Sequence, residues 1–383
     1  MLFKTTTGSY KLERIPKTGK GDLRAWDAAD EYLLQTFYDE YISKQRVKKT
    51  DTILILNDAF GALSIALHEF NIHNWGDSYT AHLASQQNRK LNKIDQKPDS
   101  GKITYLPSTS ELQQAYNIVL IKIPKTLALL EEQLHQLKPY ITRDTVIIGA
   151  AMSKHIHTST LKLFEKLIGS TTTSRAVKKA RLIFIQNDSN IKPSQSPYPK
   201  IISDDSFKLQ LSNYANVFSQ DHLDIGTRFF LEQLKHCPNA NHIIDLGCGN
   251  GALGVFIQRI QTQAQLHFID ESYLAIASAK ENYERENPSK KASYYESNGL
   301  SQYNGEKPEL ILCNPPFHQA HSIGDQIAWE MFKQSHARLT SGAELWVVGN
   351  RHLAYHNKLK RLFKNCKTIS SNKKFVVLAA IKQ

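Results

Sequence analysis

Short runs of consecutive apolar residues alternate along this chain with stretches whose apolar positions recur every three or four residues. In the second half, His242–Leu246 predicts a strand and Ala252–Arg259 a helix. Leu266–Ile269 predicts the next strand and Tyr273–Tyr283 the next helix. Leu310–Cys313 (strand), Gln326–Arg338 (helix) and Glu344–Val348 (strand) follow. The β-rich run Lys373–Ile381 has no helical pattern between it and Thr368–Ser370, which predicts a terminal hairpin. Strands separated by helices imply an α/β unit with a mainly parallel, doubly wound sheet and helices on both faces. Ligands of such sheets sit at the carboxyl ends of the strands.

The first half carries the same pattern. TILILNDAFGALSIAL from Thr52 parallels HIIDLGCGNGALGVFI from His242. Matching Gly61-Ala62-Leu63 to Gly251-Ala252-Leu253 pairs Leu56 with Leu246 and Asn92 with Asn282. Further on, IVLIKIPKT (Ile118–Thr126) parallels LILCNPPF (Leu310–Phe317), and the order of matches is kept to both ends. The stretch from Asn187 to Asp205 has three prolines and several serines and no helical period, and it predicts a linker. The expected plan is a duplicated domain: 1–187, a linker over 188–205, and 206–383.

Composition adds a partner class. Of the 383 residues, 48 are Lys or Arg and 36 Asp or Glu, a formal net charge of +12. Residues 1–190 hold 26 and 19 of these (+7) and residues 191–383 hold 22 and 17 (+5), so a basic tail is not the source. Such a surplus favours polyanionic partners. Four cysteines with no C-x-x-C pair argue against a disulfide framework and structural zinc. With no long apolar run and no apolar segment at the start, a cytoplasmic protein away from membranes is expected.

The chemistry concentrates in two segments. Asp245-Leu246-Gly247-Cys248-Gly249-Asn250-Gly251 follows a strand and opens a helix. Its glycines permit positive φ and close approach of a ligand to the backbone. Asp270 ends the next strand, where a carboxylate can accept both ribose hydroxyls. The spacing G-x-G-x-G after an acidic residue departs from the dinucleotide pattern G-x-G-x-x-G. It suits a cofactor with a cationic end, which favours S-adenosylmethionine over a pyrophosphate cofactor. Cys248 lacks an activating neighbour and reads as packing.

The second segment is Asn314-Pro315-Pro316-Phe317, directly after a strand. The prolines fix the backbone, so the Asn314 carboxamide oxygen and the Pro315 carbonyl can converge on the two hydrogens of an exocyclic amine. Phe317 offers a face for a stacked base. His318, His321 and His352 fit no metal spacing and read as packing or RNA contact, so no metal is expected. Trp329, at helical spacing from Met331 and Phe332, reads as core.

These motifs resemble the class I S-adenosylmethionine-dependent methyltransferases acting on amino groups. VFSQDHLDIGTRFFLEQL (Val217–Leu234), LCNPPFHQAHSIGDQIAWEMF (Leu312–Phe332) and GNRHLAYHNKLKRLF (Gly349–Phe363) narrow the resemblance to the 23S rRNA guanine-N2 methyltransferases and their small-subunit relatives. The resemblance covers essentially the whole chain. It implies two tandem Rossmann-like domains, each with a seven-stranded, mainly parallel sheet and a C-terminal antiparallel hairpin. It further implies that Gly247, Gly249 and Gly251 face the cofactor, Asp270 its ribose, and that Asn298 lies near the adenine. Phe218, Gly226 and Thr227 would cover the methionine end, with core packing an equal alternative for Phe218. The implied partner is 23S rRNA, naked or early in assembly, and the chain is expected to act as a monomer.

The first half lacks these groups. Gly247 maps to Asn57, Gly249 to Ala59, Asp245 to Ile55, Asp270 to Thr80, Asn314 to Ile123 and Phe317 to Thr126. Residues 1–190 are therefore expected not to bind the cofactor. Lys90, Lys93, Lys122, Lys125, Lys178, Lys179 and Arg181 would position RNA or form a solvated surface. A 16S rRNA guanine, an adenine of DNA, a protein glutamine, or a non-catalytic RNA-binding role remain as alternatives.

Overall fold

The structure, a computed structural model, describes residues 1–17, 23–316 and 321–383, with the side chains of residues 321–323 outside the description. The chain divides into two compact units, Met1–Pro197 and Tyr198–Gln383. The first unit holds strands β1 (Leu2–Thr5), β2 (Gly8–Lys11), β3 (Thr52–Leu56), β4 (Asn71–Gly76), β5 (Ile103–Pro107), β6 (Ile118–Lys122), β7 (Val146–Met152), β8 (Thr171–Thr173) and β9 (Ala180–Ile185). Its helices are α1 (Ala28–Phe37), α2 (Ala62–Ala66), α3 (Tyr79–Leu91), α4 (Leu127–Leu137) and α5 (Thr158–Leu167). The second unit repeats the series as β10 (Lys200–Asp204), β11 (Leu209–Asn213), β12 (His242–Leu246), β13 (Gln265–Asp270), β14 (Ser293–Glu296), β15 (Leu310–Cys313), β16 (Glu344–Asn350), β17 (Lys367–Ser371) and β18 (Phe375–Ile381). Its helices are α6 (Ile225–Leu231), α7 (Ala252–Ile260), α8 (Tyr273–Glu286), α9 (His321–Arg338) and α10 (Tyr355–Phe363).

Each unit folds its runs of Ile, Leu and Val into a seven-stranded sheet. The orders are β5-β4-β3-β6-β7-β9-β8 and β14-β13-β12-β15-β16-β18-β17. Five strands of each sheet are parallel, and the last two in sequence pair antiparallel. The central strands are buried on both faces, as continuous apolar runs require. Each sheet accordingly has two cores, one per face. In the second unit, one face carries Leu312, Trp346, Val348, Phe230 and Leu253, and the other Cys313, Val347, Phe332 and Leu359.

The expected linker is corrected at its downstream end. Lys200–Asp204 is not a linker but a strand paired with Leu209–Asn213. Ile202 and Asp204 alternate inward there, and Arg228 pairs with Asp204. The period-2 signal was masked by the prolines just before it, and the break between units falls at 197/198. The first unit opens with the corresponding hairpin, β1–β2. Trp329 is also corrected: it is only partly buried and carries the Arg361 guanidinium 4.4 Å from its ring centroid, whereas Met331 and Phe332 are buried.

One buried asparagine ties each hairpin to its sheet. Asn282 on α8 donates to the carbonyls of Ser212 and Asn250 and accepts from the Ser212 amide. Asn88 on α3 donates to the carbonyls of Glu13 and Phe60 and accepts from the Glu13 amide. The structural counterpart of Asn282 is therefore Asn88, not Asn92, because the chain between β3 and α3 is four residues shorter than a constant offset assumes. Both carboxamides satisfy backbone groups that are otherwise cut off from water. Asn282→Leu leaves these groups unpaired, and a loss of about 2–3 kcal/mol in the unfolding free energy is expected by urea denaturation; an unchanged midpoint would refute the assigned clamp.

Candidate active site

The turn from β12 into α7 has positive φ at Gly247 (71°), Gly249 (54°) and Gly251 (78°), a conformation that costs glycine least. A Cβ on Gly251 would stand 3.0 Å from the Ala279 Cα, so α8 packs against the turn there. A Cβ on Gly249 would meet nothing within 4 Å, which leaves that stretch of backbone open to a ligand. Asp270 holds the turn from the next strand: its carboxylate accepts from the Gly249 amide at 2.9 Å and the Ser272 amide at 3.0 Å. Burial raises its pKa above the ordinary carboxylate range despite those two amides.

Asp245 lies fully buried at the end of β12. Its Oδ2 accepts from the Gly254 amide of α7 at 2.9 Å, while its Oδ1 has no partner among the described residues. Burial pushes its pKa up to about 8, with the Gly254 amide opposing and Asp270 adding to the rise. Cys248 is buried, and burial raises its thiol pKa, with Asp270 and Asp245 adding to it, which suits packing rather than nucleophilic work.

Asn314 stands at the carboxyl end of β15. Its backbone carbonyl lies 3.9 Å from where a Gly247 Cβ would be, so the two motifs meet. Its side chain donates Nδ2–H to the Thr227 hydroxyl at 3.0 Å. Thr227 follows the N-cap Asp224, whose carboxylate accepts from the Thr227 amide at 2.9 Å and from its hydroxyl at 3.4 Å. This relay fixes the amide orientation and leaves the buried Asn314 Oδ1 with no partner among the described residues. Gly226 lies against the Phe375 ring, 3.1 Å from its would-be Cβ, so a larger residue there would crowd the ring.

The other expected residues scatter around this edge. Asn298 follows β14, and the neighbouring Ser297 amide bonds the Asp270 carbonyl. Phe218 is 55% exposed and not part of the core. It sits in a segment held to the glycine turn through Asn213, which donates to the Ser219 and Gln220 carbonyls and accepts from Asn250. Pro315 is buried. Phe317 and His318 lie outside the described residues, as does the side chain of His321; His352 is exposed. Among the described residues no cluster of three or more His, Cys, Asp or Glu could hold a metal, and no helix is long and apolar enough to cross a membrane.

Strand register corrects two of the equivalences between the halves and adds a third. Leu56 pairs with Ile121 as Leu246 pairs with Cys313, so Lys122, not Ile123, takes the place of Asn314. Leu56 pairs with Trp75 as Leu246 pairs with Ile269, so Gly76, not Thr80, takes the place of Asp270. Met152 takes the place of Asn350 by the same count. The first unit uses its substitutes internally. Asp58 accepts from the Ser64 amide and hydroxyl, the task Asp245 performs at Gly254. Asn57 and Gln133 exchange two amide bonds of 2.9 Å. Lys122 is largely covered, with 15% of its side chain exposed, and pairs with Asp27 at 2.9 Å and Asp30 at 2.8 Å. It therefore leaves the set of lysines available to RNA, whereas Lys90, Lys93, Lys125, Lys178, Lys179 and Arg181 are exposed.

The strand order with the antiparallel final pair is that of the class I methyltransferase fold, present here twice, and the glycine turn facing an acidic strand end belongs to the second unit. Residues 1–189 match the RLMG N-terminal domain, and residues 208–379 match the Methyltransferase small domain. The chain thus joins an RLMG-type N-terminal domain to a small methyltransferase domain. Among solved structures, the 16S rRNA N2-guanine methyltransferase RsmC of T. thermophilus, determined with AdoMet and guanosine, is 18% identical with a TM-score of 0.77. The alignment covers 100% of this chain and 98% of that one, a likeness of the whole duplicated fold. A ribosomal protein L11 methylase from Lactobacillus delbrueckii subsp. bulgaricus is 16% identical with a TM-score of 0.34, covering 46% of this chain and 95% of that one.

Burial makes the Lys122 pair a sharp test of the first unit. Burial opposes the Lys122 charge, yet Asp30 and Asp27 raise its pKa, while burial raises that of Asp30 from 3.8 to about 6. Lys122→Met strands the Asp30 carboxylate and is expected to cost about 3–5 kcal/mol at pH 8. Lys122 lowers the Asp30 pKa, so without it Asp30 takes up its proton at a pH above the wild-type value of about 6, and the cost shrinks as pH falls toward 6. Adding Asp30→Leu is expected to recover most of the loss; denaturation curves at pH 8 and pH 5 check both statements.

Proposed function

We propose that the chain transfers a methyl group from S-adenosylmethionine to the exocyclic 2-amino group of a guanine in 23S rRNA. The observation that carries this reading is the Asn314 carboxamide. Its nitrogen is committed to Thr227, and its buried oxygen is left as an acceptor at the carboxyl end of a central strand. An acceptor held this way matches an N–H donor on a substrate amine, and an unmade bond there costs about 1–3 kcal/mol.

The residues present fit the cofactor. The open backbone at Gly249 admits it, with Gly247 and Gly251 shaping the turn, and Asp270 can accept ribose hydroxyls in exchange for its backbone partners. The unpartnered Asp245 Oδ1 can face a cationic end. Asn298 would border the adenine, and Phe218, Gly226 and Thr227 the methionine end. Bound there, S-adenosylmethionine supplies a methyl group on a sulfonium leaving group.

The guanine 2-amino nitrogen is a weak nucleophile because its lone pair is delocalised into the ring. Asn314 Oδ1 and the Pro315 carbonyl take its two hydrogens and favour the pyramidal nitrogen of the transition state, where positive charge develops. Holding the nitrogen in line with the methyl carbon provides the proximity gain. The nitrogen–carbon bond forms as the carbon–sulfur bond breaks, and the acidified nitrogen then releases its proton to solvent, so no strong base is required. The base must leave its stack, with Phe317 as the receiving face.

The 23S target is supported by the RLMG N-terminal match over residues 1–189, and the whole-chain likeness to a 16S rRNA enzyme keeps 16S rRNA as the second reading. The first unit, with net +7 over residues 1–190, would hold RNA without cofactor. The protein is proposed to act as a cytoplasmic monomer on naked or partly assembled rRNA. Incubation with cofactor and, separately, 23S rRNA, 16S rRNA and assembled subunits, followed by nucleoside mass spectrometry, is expected to give N2-methylguanosine in 23S rRNA alone. Methylation confined to 16S rRNA would select the second reading. Asn314→Ala is expected to lower turnover by 100-fold or more with cofactor affinity unchanged; full activity would refute its role.

A further inference from the structure

A second carboxamide stands on the same edge as Asn314. Asn350 ends β16, the strand beside β15, and is 8% exposed, yet its Oδ1 has no partner among the described residues. Side chains alternate along a strand, and Trp346 and Val348 lie in the core face that also holds Leu310 and Leu312. Asn350 therefore shares that face with Asn314. Two further contacts bring it to the same place. Asn350 pairs in register with Phe375, the Phe375 ring packs on Gly226, and the next residue, Thr227, holds Asn314. Cys313 pairs with Val347, so Asn350 lies two residues beyond the level of Asn314; strand spacing and rise then separate the two α-carbons by roughly 8 Å. Both carboxamides can reach one planar base across that gap.

We infer that Asn350 is a specificity-determining residue whose side-chain oxygen accepts the N1–H of the target guanine while Asn314 accepts from the 2-amino group. This inference rests on the guanine-N2 reading above. Guanine carries these donors side by side on its Watson–Crick edge, and flipped bases are read on that edge by such bonds. Adenine has an acceptor at N1 and would leave the buried oxygen unpaired, a mismatch that such sites punish strongly. In the first unit the equivalent position is Met152, which cannot accept this bond, and the equivalent of Asn314 is Lys122. The two carboxamides are thus lost together in the copy that has also lost the acidic strand end.

The test uses an rRNA transcript bearing guanine, or 2-aminopurine, at the nucleotide that the wild-type protein methylates. 2-Aminopurine keeps the 2-amino group and lacks the N1–H. The ratio of kcat/KM for the two bases is measured for the wild type, Asn350→Ala and Asn350→Met, the last placing there the residue of the first unit. Differences in the inherent reactivity of the bases are common to all three proteins and cancel. The wild-type ratio is expected to exceed that of both variants by tenfold or more, with cofactor affinity unchanged. Equal ratios in the three proteins, or equal losses on both bases, would overturn the role of Asn350. Absence of any N2-methylguanine with the wild type would instead overturn the functional reading beneath it.

Discussion

Everything in the catalytic half depends on one turn of backbone that no side chain fills. Between β12 and α7, three glycines take positive φ and leave an open surface at Gly249. Such a turn has little stability of its own, because glycine loses the most freedom on folding. Buried polar side chains of neighbouring elements fix it instead. Asp245 bonds the first turn of α7, Asn282 holds the Asn250 carbonyl, and Asp270 holds the Gly249 amide. A parallel sheet brings these groups, and Asn314 beside them, to one edge.

The first unit keeps the scaffold and pairs its polar groups internally. The left-handed conformation survives at Asn57 and Gly61, the positions equivalent to Gly247 and Gly251. The clamp on the hairpin survives as Asn88. What changes is the direction of the polar groups, which turn inward in pairs: Asp58 with Ser64, Asn57 with Gln133, Lys122 with Asp30. Where the second unit has a carboxamide oxygen free to meet a substrate, the first has an ammonium already matched by carboxylates. The substitutions that remove the motif residues are the ones that supply these internal pairs.

The glycine turn, the acidic strand end and the Asn-Pro-Pro that follows a strand were legible because each is local and demands particular residue types. The duplication was legible for the same reason. Equivalences farther from the motifs were not. Matching by nearly equal offsets placed Ile123 against Asn314 and Thr80 against Asp270, and only hydrogen bonding between strands, which counts residues across the sheet, replaced them with Lys122 and Gly76. The hairpin Lys200–Asn213 hid beside a proline-rich stretch, since a short half-exposed strand carries few apolar residues. Asn350 lies within the GNRHLAYH segment, but the residue pattern there assigned it no role of its own. A lone asparagine at a strand end has meaning only when its burial and its missing partner are seen.

The central claim is that one fold is used twice and opened to cofactor once. Equilibrium dialysis of the intact chain with labelled S-adenosylmethionine tests it directly. The account predicts one equivalent bound per chain, with affinity lowered at least tenfold by Asp270→Ala. Two equivalents per chain, or one equivalent bound as tightly after Asp270→Ala, would contradict it.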